Sequence, residues 1–301
     1  MTTFSAVLVT LLMQGACRSG EAVPPSPFDG ERALAYARTF QEFGPRVPGT
    51  EAHRRAADWI ASEMRQRADT VIEQVWTHTT KAGKALPMRN ILARFRPMAD
   101  ERILYVTHYD SRPAAEKAAR EADRALPTPG ANDGGSGVGL FLALSDVLKA
   151  TPPTIGLDLL FVDGEDYGTF GPDEDVLIGS TYFADHLPSS GYQPLFGVVW
   201  DMVGEADLRI PQEGHSVNRA PEVVERVWRA AAELGYGNVF VPATTFEITD
   251  DHLPLLNKGL RVIDVIDLDY AYHHTPQDTI DKLSARSLKI VGDVAWRLLQ
   301  R

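Results

Sequence analysis

Four stretches of this chain are apolar almost without interruption: ILYVT (103–107), GLDLLFV (156–162), FGVV (196–199) and VIDVI (262–266). A strand with one wet face alternates apolar and polar residues, so an unbroken run belongs in a sheet covered on both faces. Shorter β-type runs cover 70–76 and 90–95, and apolar residues at helical spacing predict helices over 136–149, 179–186, 221–234 and 285–299. The segment from 31 to 67 is also helical in pattern, broken in two by Pro45 and Pro48. Strands alternating with helices predict an α/β fold: a central twisted, mostly parallel mixed sheet flanked by helices on both faces. At 301 residues and 44% hydrophobic, the chain has enough core for one such domain over 30–301.

The first 29 residues read differently. Residues 6–13 (AVLVTLLM) are apolar but too short to span a bilayer, and Gly15-Ala16-Cys17 follows. Residues 1–17 are therefore expected to be a signal peptide, of the lipoprotein type with a lipidated Cys17; an ordinary signal peptide with an incidental cysteine is the alternative. Residues 18–29, polar and proline-rich, read as a flexible tether. Export to the periplasm, or to a membrane surface through the lipid, is the expected localisation, in a bacterium. Cys17 is the only cysteine, so no internal disulfide is expected. The balance of 41 acidic to 30 basic residues argues against a nucleic-acid partner.

Open α/β sheets place ligands at the carboxyl ends of their strands. The first core run leads into His108-Tyr109-Asp110, the second into Glu165-Asp166, the third into Asp201, and the fourth, through a loop, into His273-His274. The turn GANDGGSG sets Asp133 just before a helix. Each residue has a plain alternative. Asp133 suits a turn or helix cap, Asp201 a turn cap, Glu165-Asp166 a solvated loop, and His108 and His274 ordinary loop or strand-end positions. Together they are what a zinc site needs: ionised carboxylate, neutral imidazole and an open position. Of the adjacent Glu165 and Asp166, one can bind metal while the other stays free as a base. Asp250-Asp251-His252 opens a short helix, where Asp251 and His252 are expected to cap.

Seven motifs resemble, in order, those of the zinc-type glutaminyl-peptide cyclotransferases, which belong to a superfamily with the zinc aminopeptidases. They are HYDSRP (108–113), GANDGGSGVG (130–139), FVDGEDYG (161–168), LIGSTYFA (177–184), WDMVGEAD (200–207), TDDHLP (249–254) and HHTPQDTID (273–281). GPRVPGTEAH (44–53) and NILARFRP (90–97) extend the likeness. The resemblance implies one zinc held by Asp133, Asp166 and His274, with Glu165 as general acid/base and Asp201 and Asp250 as its acidic partners. It implies conversion of N-terminal glutamine on peptides or proteins to pyroglutamate with release of ammonia.

Three positions depart from that pattern. His273 stands where the cyclases usually carry a pocket Trp; a second Trp is absent, with Phe170 and Gly171 in its region; and Asp264 replaces a His found in some members. His273 and Phe170 are thus the expected pocket residues. The aminopeptidase alternative needs a second zinc on His108 and Asp201 with Asp133 bridging, and all five ligand types are present. A non-catalytic peptide-binding lipoprotein is the third reading.

Overall fold

The computed structural model describes residues 25–300, so the leader reading of 1–17, Cys17 included, and residues 18–24 of the tether lie outside the described residues. Among the described residues, no helix is long and apolar enough to cross a membrane.

Six strands form the main sheet in the order β1-β2-β4-β3-β5-β8: β1 Thr70–Thr79, β2 Ala85–Phe95, β4 Gly156–Val162, β3 Arg102–His108, β5 Phe196–Asp201 and β8 Val262–Ile266. β4, β3, β5 and β8 run parallel, while β1 and β2 form an antiparallel hairpin that joins β4 antiparallel. The expected mostly parallel mixed sheet is what forms. Every residue of β3, β4, β5 and β8 is buried. Alternation explains how. Leu104, Val106, Leu160 and Val162 pack on one face with Phe183 and Leu255. Tyr105, Leu159, Phe161 and Trp200 join the larger core on the other. Fully burying a side chain of this size stabilises by about 2 kcal/mol, so neither face can be left wet.

Helices α1 (Gly30–Gln41), α2 (Glu51–Arg65), α3 (Gly135–Ala150), α6 (Pro221–Glu233) and α8 (Ala285–Arg297) supply the larger core, and α4 (Ile178–Asp185) and α7 (His252–Asn257) the smaller. α3 is buried almost all round, as its uniformly apolar sequence requires. Its first turn is pressed against the strand ends: a Cβ on Gly137 would lie 2.0 Å from Thr107 Oγ1 and 2.7 Å from the Trp200 carbonyl. Only glycine permits that approach.

The structure corrects the reading at several points. A second, two-stranded parallel sheet pairs β6 (Ile210–Glu213) with β7 (Phe240–Phe246) and leads into α5 (Gly214–Arg219). Pro211 and Pro242 and the wet face of β7 hide it from an apolar pattern. Residues 28 and 29, expected to lie in a tether, belong to the folded domain. Phe28 is only 2% exposed, with its ring where a Cβ on Gly292 of α8 would have to stand. Asp29 accepts from the Glu31 and Arg32 amides and caps α1. The Phe28→Ala variant is expected to lose about 3 kcal/mol of stability, measurable as a lower urea midpoint. An unchanged midpoint would return Phe28 to the tether.

Candidate metal centre

His108 and Asp201 are the last residues of β3 and β5. Glu165 and Asp166 follow β4 through the turn Asp163-Gly164, where Gly164 has φ +68°. Asp133 precedes α3, whose capping position is Gly134 at φ +75° with no side-chain cap, so Asp133 is not a helix cap. His274 lies in the turn after β8 with φ +55°, a left-handed conformation uncommon for a side-chain-bearing residue. Asp133, Glu165, Asp166, Phe170, Asp201, Asp250, His273 and His274 all line one cavity of about 470 Å³. His108 sits behind it, 1% exposed.

The ligand atoms converge. His274 Nε2 lies 3.3 Å from Asp166 Oδ1 and 3.5 Å from Asp133 Oδ2. Ligands at roughly 2.0 Å from a tetrahedral zinc stand roughly 3.3 Å apart, so these separations fit the metal. Asp133 Oδ2 and Asp166 Oδ2 are buried without a hydrogen-bond partner among the described residues. Buried carboxylate oxygens left in that state call for a cation. A second group forms behind: His108 Nε2 is 3.1 Å from both Asp133 Oδ1 and Asp201 Oδ1, and the three also fit a metal ion.

An outer layer holds the ligands, and sequence reasoning gave it no role. Asp110 accepts from the Glu165 and Asp166 amides, 3.1 Å each. Asp278 accepts from the Asn132 and Asp133 amides at 2.8 and 3.2 Å, and from the Tyr270 hydroxyl. One buried carboxylate thus staples each ligand turn. Arg112 donates to Asp166 Oδ1 at 2.8 Å and stands over the Phe170 ring. Glu116 Oε1 is 2.6 Å from His274 Nδ1, which orients the imidazole and leaves Nε2 facing the carboxylates. Arg46, fully buried, donates to the carbonyls of Tyr109, Pro129 and Gly130. Burial pushes its guanidinium down to about 10, partly offset by Asp278, Asp110 and Asp133. Asp110, Arg112, Asp278 and Arg46 lie inside quoted motifs; Glu116 is signalled only by its contacts.

Burial, with Asp166 beside it, raises the Glu165 carboxyl well above the usual range. Burial and Asp201 raise Asp250 to about 6. Asp250 can thus exchange a proton near neutral pH, and Glu165 holds its proton more tightly than an ordinary carboxyl. Burial, His274 and Lys117 act together to push His273 down to about 3. Burial works against protonation of His274, but Asp166, Glu116 and Asp133 outweigh it and raise this imidazole to about 9. Asp251 and His252 do not cap α7 as expected. Asp251 makes no capping bond, and His252 is buried 3.2 Å from Glu213 and 3.9 Å from Asp264.

A doubly covered sheet that gathers carboxylates and imidazoles at its carboxyl edge, around a cavity with one end open, defines a metal-dependent exopeptidase-like enzyme. The structure is similar to a glutaminyl cyclase of Tannerella forsythia, with TM-score 0.87 and 38% identity over 91% of this chain and 99% of that one. It is equally similar to a Zn-dependent exopeptidase of Parabacteroides distasonis, with TM-score 0.89 and 33% identity over 93% and 100%. Aminopeptidase YwaD of Bacillus subtilis is 23% identical over 95% of this chain, which spans 60% of that protein's length. The chain belongs to peptidase family M28, whose model matches residues 90–299. Zinc is the metal that its relatives support.

Two outcomes follow. Glu116→Gln should weaken zinc binding by roughly 10- to 100-fold, read by competition with a chromogenic chelator. An unchanged affinity would remove Glu116 from the site. The proton on His274 must also leave before metal enters. In the metal-free protein its raised value contributes stability that is complete below 6.5 and lost as pH rises through about 9. Apparent zinc affinity should run the other way, rising about tenfold per pH unit up to that value. A flat profile between pH 6 and 8.5 would show that His274 is not a ligand.

Proposed function

We propose that this chain is a glutaminyl cyclase, converting the N-terminal glutamine of peptides or proteins to pyroglutamate. The observation that carries the reading is 38% identity with a glutaminyl cyclase over nearly the whole of both chains, combined with Glu165, a carboxyl of raised proton affinity, in the cavity wall. Asp133, Asp166 and His274 would hold one zinc. Bound there, the metal supplies Lewis-acid polarisation of the substrate's γ-carboxamide carbonyl. The substrate's own α-amine forms the new C–N bond, so the chain's task is chiefly positioning. Glu165 takes a proton from the amine and delivers it to the amide nitrogen, whose bond to carbon breaks to release ammonia. Asp250 and Asp201 lie beside it as acidic partners. We propose further that the mature enzyme is exported, a reading supported by the apolar residues 6–13 ahead of Cys17.

A second reading has one specific observation in its favour. His108 Nε2 stands 3.1 Å from both Asp133 and Asp201, a geometry that suits a second zinc and aminopeptidase chemistry, with Glu165 as base for water. The test is to incubate the zinc-loaded protein with Gln-peptides and with aminoacyl chromogens, while counting metal per chain. Ammonia without peptide shortening, at one zinc, is the expected result; free amino acid at two zincs would establish the aminopeptidase, and binding without turnover a non-catalytic protein. Glu165→Gln should cut turnover at least roughly 100-fold with zinc content intact. Surviving activity would displace Glu165 as the proton shuttle.

A further inference from the structure

His273 and His274 are held by two consecutive residues of opposite charge. Glu116 Oε1 is 2.6 Å from His274 Nδ1, and Lys117 Nζ is 2.9 Å from His273 Nδ1. The Lys117 amide also donates to the His274 carbonyl at 3.3 Å, which keeps the two pairs in register. A carboxylate only accepts, so His274 carries its proton on Nδ1 and presents a lone pair at Nε2. An ammonium only donates, so it occupies the lone pair of His273 Nδ1, and the neutral ring carries its proton on Nε2. Equal neighbours in sequence are thereby given opposite tautomers.

That difference decides what His273 can do. Its ring lies 3.8 Å from that of His274, centroid to centroid. It also offers a nitrogen within 4.8 Å of Asp133 and His274, a distance that would suit a metal ligand. Yet Nδ1 is taken by Lys117, and a protonated Nε2 has no lone pair to give. Among the described residues Nε2 makes no bond to the protein, and the ring forms part of the cavity wall. That wall combines apolar side chains (Met202, Ile248, Ile266 and Leu268) with the carboxylates of the candidate metal centre. An N–H donor set in that surface has a substrate acceptor as its natural partner.

We propose that His273 is a substrate-binding hydrogen-bond donor, set in that role by Lys117, which reads a carbonyl oxygen on the N-terminal residue of the peptide. The assignment of the acceptor rests on the cyclase reading; the tautomer assignment does not.

Four full-length variants test it. His273→Phe keeps a ring and removes the donor. It should lower kcat/KM for a Gln-peptide by roughly 10- to 100-fold, the effect of losing one hydrogen bond in a desolvated site, with zinc per chain unchanged. His273→Gln restores an N–H donor and should recover most of that loss. Lys117→Glu replaces the donor at Nδ1 by an acceptor. The proton should move to Nδ1, freeing Nε2 for metal, and the visible absorption of the cobalt(II)-substituted protein should change as a nitrogen ligand is added. Lys117→Met removes the donor without adding an acceptor and should shift that spectrum less than Lys117→Glu does. A His273→Phe enzyme as active as the parent would overturn the substrate role. A Lys117→Glu cobalt spectrum identical to the parent's would overturn the tautomer assignment. If the parent itself leaves Gln-peptides unchanged, the cyclase reading fails, while the cobalt measurement still decides the tautomer.

Discussion

Buried negative charge organises this molecule. Asp133, Glu165, Asp166, Asp201 and Asp250 crowd one cavity wall, each less than 9% exposed, at the end of a sheet whose covered faces are largely apolar. Two like charges 4 Å apart repel by about 4 kcal/mol even at an effective dielectric of 20. A cluster of this size survives only if protons, donors or cations absorb its charge. The structure uses all three. Glu165 and Asp250 hold protons more tightly than ordinary carboxyls. Asp110 and Asp278 are satisfied by pairs of backbone amides. Arg46 adds a cation with no carboxylate in direct contact, anchored on three carbonyls. Asp133 Oδ2 and Asp166 Oδ2 stay without a hydrogen-bond partner among the described residues, and Asp133 Oδ2 lies 3.5 Å from His274 Nε2.

The sheet and its helices were legible because hydrophobic burial writes itself into sequence locally. An unbroken run such as GLDLLFV has few other places to go, and its predicted bounds, 156–162, are those of β4. The residues that line the cavity were legible for a topological reason: strand ends in a parallel sheet deliver their loops to one edge. What escaped has no local signature. Glu116 sits in an irregular loop 158 residues from the imidazole it holds, and no periodicity marks it. Phe28 is a lone aromatic among prolines, so composition spoke for a tether while packing against α8 spoke for the core. Asp251 stands where a helix cap belongs and caps nothing; its carboxyl is buried beside Asp250, without a bond to the helix amides.

The site divides into two parts of different ancestry in the physics. The metal-facing part is over-determined: ligand turns are stapled through their amides, so side chains arrive in place before any ion does. The pocket-facing part is held by fewer contacts. Phe170 is half-buried over Arg112, and His273 depends on a lysine at the rim. The first part is what a zinc-dependent enzyme of family M28 calls for, and the proposed substrate contact lies in the second.

The left-handed backbone at His274 narrows what evolution can try at this position. A φ of +55° penalises any residue with a branched β-carbon, so Thr, Val and Ile are barred on steric grounds alone. Of the residues at ease there, glycine has nothing to offer a cation and asparagine only a weak amide oxygen. Aspartate could bind, but it would add another negative charge to a place already overfull. The backbone at this position thus favours histidine as strongly as a bound cation would.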